Sequence, residues 1–113
     1  MTIQELGTIF QTKAAVKIVI LNNSFLGMVR QWQQLFFDKR YSSTELENPD
    51  FVTIAKGYGI AGKSIMERDD LQGAIAEMMA HDGSYLLEVM VGKEDNVFPM
   101  VPTGASVSEV RLS

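Results

Sequence analysis

The chain contains no cysteine, which excludes disulfides, thiolate zinc sites and a cysteine nucleophile and agrees with a reducing, cytoplasmic setting. Its one histidine, His81, argues against a triad-type hydrolase and against a multi-histidine metal site. Positive charge is scarce: 10 Lys and Arg stand against 14 Asp and Glu, a formal net charge of −4, with no basic run or stripe. Neither nucleic acid nor an anionic membrane is therefore expected as a partner. No apolar run approaches the length that spans a bilayer. Met1-Thr2-Ile3-Gln4-Glu5 lacks the basic region and apolar core of a signal peptide. Internal repeats and low-complexity stretches are missing too.

What is present is an ordinary globular mixture. The 113 residues are 46% hydrophobic and 21% charged, enough for one domain with a modest core. Residues 16–21 (VKIVIL) and 85–91 (YLLEVMV) form continuous apolar runs of the kind that marks a buried parallel strand. Ile3, Leu6, Ile9 and Phe10 share one face of a helix over 2–12, with Thr2 and Glu5 spaced as a capping box. A second helix is predicted over 26–38, lined by Leu26, Val29, Gln33, Phe36 and Phe37 and, beside them, Met28, Trp32 and Leu35. So much apolar circumference implies a helix that is deeply buried or that faces a ligand or partner.

Residues 39–49 are polar and carry turn signals, Ser42-Ser43-Thr44 and Asn48-Pro49. A third helix fits 50–58, stopped by Gly59. A short strand follows near 60–65, and a fourth helix fits 69–80 with Leu71, Ala74, Ile75, Met78 and Met79 inward. From Gly92 the proline-containing tail reads as an extended arm packed on something. Alternation of helices and strands predicts an α/β fold, a parallel sheet with helices on both faces. Three strands are few and leave an edge exposed, so the chain reads as part of a larger α/β domain.

Asn22-Asn23, directly after the first strand, is the most informative feature. The C-terminal end of a parallel strand is where α/β proteins place ligands, and carbonyl oxygens there suit a hard cation and its phosphates. The alternative is a turn that caps the next helix. Trp32 carries two readings as well, a packing aromatic or a ligand contact. Gly57-Tyr58-Gly59-Ile60-Ala61-Gly62 follows a helix and precedes a strand, the reverse of the order a phosphate-cradling fingerprint needs.

Gln4-Glu5-Leu6-Gly7-Thr8, residues 16–32 with Gly27-Met28-Val29-x-Gln31-Trp32, Tyr41-Ser42, Asn48-Pro49-Asp50-Phe51 and the ending Asn96-Val97-Phe98-Pro99-Met100-Val101-Pro102 together resemble the C-terminal region of the acetolactate (acetohydroxyacid) synthase catalytic subunit. The resemblance covers nearly the whole chain. It implies a partial three-layer parallel sheet, the C-terminal part of a thiamine diphosphate-binding fold, with residues 1–92 in the pyrophosphate-binding domain and 93–113 as a C-terminal arm. It implies thiamine diphosphate and Mg2+ as cofactors. Asn23 matches the metal-ligating asparagine, and Phe25 the residue whose backbone carbonyl is a second metal ligand, where any side chain serves. Gly27 leaves room for the cofactor. Met28 and Trp32 match positions lining the substrate channel over the cofactor, with the tryptophan tied to preference for a 2-ketoacid as second substrate. The implied reaction joins pyruvate, after loss of carbon dioxide, to a second 2-ketoacid, a transferase step of branched-chain amino acid synthesis.

The sequence departs from that family pattern in one respect. The family's signature opens with Gly-Asp-Gly, whose aspartate is the main anionic metal ligand, and no Gly-Asp-Gly occurs here. The glutamate that activates the cofactor and the domain that carries FAD belong to family segments outside these residues, so no catalytic residue is assigned. Glu5, Glu45, Glu47 and Glu88 read as solvated charges. The expectation is a C-terminal fragment without synthase activity alone. It would work with the N-terminal and middle domains of the same enzyme, in a homo-oligomer and with a regulatory subunit as a further partner. The competing expectation is a truncated homologue serving as an oligomerisation or interaction module.

Overall fold

Along residues 2–112, which the computed structural model describes, the order is α1 (Glu5–Thr12), β1 (Lys17–Asn22), α2 (Gly27–Phe36), α3 (Phe51–Gly57), β2 (Ala61–Ile65), a 3-10 turn at Arg68–Asp70, α4 (Leu71–Ala80) and β3 (Tyr85–Met90). The α/β alternation predicted from the apolar runs is present, and element ends differ from the sequence reading by one or a few residues.

Two compact units divide the chain. One comprises the residues up to Asn23 together with Glu47–Val91, and the other Ser24–Leu46 with the residues from Gly92 onward. The first holds the sheet, ordered β1-β3-β2 with both pairings parallel. β3 lies at the centre, and Tyr85 to Glu88 are buried without a break. That explains its uninterrupted apolar run, since a central parallel strand has no solvent face.

Alternation along β3 divides the core. Tyr85 and Leu87 pack with Ile65, Ala74 and Met78 beneath α4. Leu86 packs with Leu6, Ala55 and Ile60 beneath α1 and α3, and Ile18 and Ile20 of β1 join that side. Helices therefore cover both faces, as expected for a parallel sheet. On β1 the α4 side is bare, with Val19 50% and Leu21 70% exposed.

Local chemistry sets the element ends. Asp50 caps α3 by accepting the Thr53 N–H at 2.8 Å. Ile60 N–H reaches back to the Ala55 carbonyl and Gly59 N–H to Lys56, the paired bonds of a Schellman ending, with Gly59 at φ +72°. Thr2 is not a cap. Its carbonyl accepts the Glu5 N–H in a turn before α1, and the preceding residue of α1, Gln4, makes no side-chain capping bond.

The second unit is built on α2. This helix buries Arg30 and Gln31, while Leu26, Met28, Val29, Phe36 and Phe37 are 41–55% exposed. Of the two alternatives the sequence left open, a deeply buried helix or one that faces a ligand or partner, the first does not hold for these apolar residues. The polar pair is inside because the C-terminal arm supplies its partners. Arg30 Nη2 contacts Glu94 Oε1 at 2.9 Å, and Gln31 bonds both main-chain groups of Val97. These contacts of the arm are polar, while its Val97, Val101, Val107, Val110 and Leu112 are 41–85% exposed. The arm closes on itself through the Met100–Arg111 bridge.

Candidate functional site

The residues singled out at the end of β1 lie where a parallel sheet presents its C-terminal edge. Asn22 is the last residue of β1, pairs with Met90 of β3, and its carbonyl accepts the Val91 N–H at 2.9 Å. Its side chain is buried at 7% exposure and held from two directions. Nδ2 donates to Glu88 Oε1 at 2.8 Å, and Oδ1 accepts from Asn48 Nδ2 at 2.8 Å. Asn23 follows half-buried.

In the second unit, Ser24 has φ +57°, a left-handed conformation in which the chain leaves the strand direction. Phe25 is half-buried and forms an antiparallel bridge with Glu45, flanked by Leu26 N–H to Thr44 carbonyl and Leu46 N–H to Ser24 carbonyl, both 2.8 Å. Gly27 opens α2. Met28 and Trp32, one helical turn apart, share a side of that helix. Met28 is 55% exposed, and Trp32 is half-buried against Phe36, ring centroids 5.0 Å apart. Phe25, Gly27, Met28 and Trp32 thus fall in one unit, and Asn23 ends a segment of the other.

Two features escaped the sequence reading. Glu88, taken as a solvated strand-end charge, is 8% exposed in the central strand. A carboxylate inside YLLEVM has nowhere else to point once the strand is central, and the Asn22 amide satisfies it. Arg30 is 8% exposed, with its guanidinium 4.0 Å from the Tyr41 ring and 5.3 Å from Phe25. Lys93 Nζ lies 5.0 Å from the same Phe25 ring. The polar-inside character of α2 offered a signal only to a reader who already knew which side the arm would cover.

Asp50, the α3 cap two residues beyond Asn48, is held below its ordinary value by the Thr53 hydrogen bonds, and the other shifted groups lie elsewhere. Lys63 Nζ and the Tyr85 hydroxyl both bond the Glu77 carboxylate, each at 2.9 Å. The Lys63 hydrogen bond, helped by Tyr85, pulls Glu77 below its ordinary value, and burial with the Glu77 bond pushes Tyr85 up. Tyr85 opens β3, whereas Asn22 pairs with that strand's last residue. This network therefore sits at the opposite end of the sheet from the Asn pair. An apolar hollow of about 360 Å³ beneath α1, lined by Ile3, Leu6, Ile9, Ile18, Phe51 and Leu86 among others, includes none of the candidate residues. Among the described residues no group of three or more His, Cys, Asp or Glu is placed to hold a metal. No helix there is long and apolar enough to cross a membrane.

Comparison with known proteins gives a consistent result. Residues 1–89 match the family described as "Thiamine pyrophosphate enzyme, C-terminal TPP binding domain". The large subunit of acetolactate synthase isozyme 2 from Escherichia coli (strain K12) is 50% identical over 111 residues, 97% of this chain and 20% of that protein. The mitochondrial acetolactate synthase of Schizosaccharomyces pombe is 43% identical over 112 residues, 99% of this chain and 17% of that protein. Among solved structures, a thiamine diphosphate-dependent 4-hydroxybenzoylformate decarboxylase from Rhodococcus jostii RHA1 superposes with a TM-score of 0.71 at 30% identity, covering 80% of this chain and 17% of that one. The chain spans about a fifth of the length of the curated relatives it matches.

Proposed function

The chain belongs to the thiamine pyrophosphate enzymes, whose C-terminal TPP-binding domain it carries, and we propose that it is the C-terminal part of an acetolactate synthase catalytic subunit. The observation that carries this reading is the 50% identity to the E. coli large subunit across 97% of the chain. In this reading residues 1–92 belong to the pyrophosphate-binding domain and 93–113 form its arm.

Each of the two residues that the family resemblance makes metal ligands brings an oxygen. Asn23 offers a side-chain carbonyl and Phe25 a main-chain carbonyl, oxygen donors of the class a magnesium–diphosphate takes. The carboxylate that completes the shell comes, in this reading, from the part of the relatives' length that the chain does not span. Thiamine diphosphate, when bound, supplies the carbon nucleophile and electron sink for decarboxylating pyruvate and joining the remainder to a second 2-ketoacid. The chain's own residues hold and shape. Asn23 and Phe25 bind the ion, and Gly27 leaves the diphosphate room. Met28 and Trp32 present apolar surface that excludes water and selects the incoming 2-ketoacid. FAD is held by other parts of the complete enzyme. The active form is a homo-oligomer of complete subunits in the cytoplasm, serving branched-chain amino acid synthesis, with a regulatory subunit as partner. The isolated chain is inactive.

The exposed apolar residues of the second unit, Leu26, Met28, Val29, Phe36 and Phe37, favour a second reading as a non-catalytic interaction module. One experiment separates the two. The segment of the E. coli relative that this chain matches is replaced by this chain, and acetolactate formation from pyruvate is measured. Activity with added thiamine diphosphate and Mg2+ supports the enzyme reading. A folded chimera that binds neither and turns over no pyruvate supports the module.

A further inference from the structure

The strand end holds a polar chain that packing alone does not require. Glu88, Asn22 and Asn48 are linked in sequence by two hydrogen bonds of 2.8 Å. Glu88 and Asn22 are 8% and 7% exposed, on the side of the sheet that also carries Ile18, Ile20 and Leu86. A buried carboxylate–amide pair in an apolar layer is costly to desolvate, and apolar residues of similar volume at such places often give equal or greater stability. What the polar chain adds is direction. A terminal amide rotates broadly about its last torsion. Here one end of the Asn22 amide must donate, because Glu88 Oε1 accepts, and the other must accept, because Asn48 Nδ2 donates. The amide has one orientation that satisfies both.

Each partner comes from a different element. Glu88 lies in the central strand, paired with Ile20. Asn48 lies in the exposed loop that leads into α3, two residues before its Asp50 cap. Asn22 is thereby fixed to the sheet's centre on one side and to the α3 lead-in on the other. The Val91 N–H holds its main chain as well.

We propose that Glu88 and Asn48 are positioning residues that clamp Asn22, and so preset Asn23 at the strand end before any ligand arrives. This rests on the reading of Asn23 as a magnesium–diphosphate ligand. A preset ligand spares the ordering cost at the moment of binding, which is how preorganisation raises affinity.

The test is 15N relaxation of the labelled 113-residue chain, with no cofactor present. In the wild type Asn23 has a backbone order parameter of a rigid strand, about 0.85. Glu88→Ala lowers Asn22 and Asn23 below about 0.6 while Leu86 and Leu87 keep their values. Glu88→Gln, which keeps an acceptor oxygen in place, restores Asn23. Asn48→Ala, at an exposed loop position, lowers Asn23 in the same way and does not depend on Glu88→Ala folding. An Asn23 that stays rigid in both alanine variants overturns the proposal, as does a loss spread evenly along β1 and β3. A separate arm titrates thiamine diphosphate with Mg2+ into the wild-type chimera described above. If Asn23 resonances do not respond there, the cofactor reading fails, whatever the relaxation data show. If they respond, the clamp predicts at least tenfold weaker binding in Glu88→Ala, largely recovered in Glu88→Gln.

Discussion

The side chain of Gln31 grips Val97 by both main-chain groups: Nε2 donates to the Val97 carbonyl at 3.0 Å, and Oε1 accepts the Val97 N–H at 2.9 Å. A side-chain amide repeats the donor and acceptor of a peptide unit, so one residue of α2 acts as a one-rung strand for the arm. Gln31→Leu removes both bonds at similar volume. At about 0.5–1.5 kcal/mol per neutral bond, the open population of the arm rises roughly fivefold to a hundredfold. Limited proteolysis should cut within 92–112 correspondingly faster while the sheet unit stays intact. Unchanged cleavage would mean the arm is held by other contacts.

Gly59 is set by two independent constraints. Its φ of +72° belongs to the left-handed ending of α3, and a Cβ there would sit 2.6 Å from the Phe10 ring. Gly59→Ala is expected to cost about 1–2 kcal/mol from the backbone alone, and more from displacing Phe10. Chemical denaturation should show a lower midpoint with an unchanged slope. Gly59→Ala with Phe10→Ala should recover only the steric part.

Leu87 is fully buried at the centre of β3, beneath α4. Leu87→Ala removes apolar area and leaves a cavity that a parallel sheet cannot collapse into, at about 2–5 kcal/mol. In a domain of this size that is a large share of total stability. The expected result in denaturation is a marginal or unfolded chain. A loss well under 1 kcal/mol would show that the layer between α4 and the sheet is loosely packed.

The Lys63–Glu77–Tyr85 group makes stability depend on pH in a defined sense. Glu77 is held below its ordinary value of 4.5, first by the Lys63 hydrogen bond and then by that of Tyr85. The folded form therefore binds fewer protons near that pH, and the stabilisation is complete above 4.5 and lost as the pH falls through the lowered value. Tyr85 is raised above its ordinary 10.0, first by burial and then by the bond to Glu77. Its contribution is complete below 10.0 and lost as the pH rises through the raised value. Thermal melts should show Glu77→Gln less stable than the wild type at neutral pH, with the gap narrowing below pH 4.5. A gap that persists in acid would show that the bond to Glu77 is not its source.

Much of this architecture is written in periodicity. The runs at 16–21 and 85–91 gave two parallel strands, but full burial holds only for the central β3, since β1 is an edge strand with Val19 and Leu21 exposed; Gly59 gave the end of α3, and Asp50 its start. Motifs carried the family, since Gly27-Met28 and Gln31-Trp32 are specific where an Asn pair alone is not. What was not legible depended on partners distant in sequence. Arg30 and Gln31 look like a solvent face until Glu94 and Val97, more than sixty residues on, cover them. Glu88 looks like a surface charge until Asn22 of another strand meets it. Residues Ile75 and Met79 of α4 were read inward and are 42% and 65% exposed. The helix covers only β2 and β3, so its apolar stripe is wider than the surface it meets.

In the proposed reading Asn23 holds the metal that anchors thiamine diphosphate. In the chimera with the E. coli relative, the Mg2+ concentration for half-maximal acetolactate formation is measured for the wild-type segment and for Asn23→Ala, at saturating thiamine diphosphate. Losing one oxygen from a hard-cation shell should raise that concentration by roughly tenfold to a hundredfold, with a folded, oligomeric protein. An Asn23→Ala chimera with unchanged Mg2+ dependence and full activity would show that Asn23 is not a metal ligand.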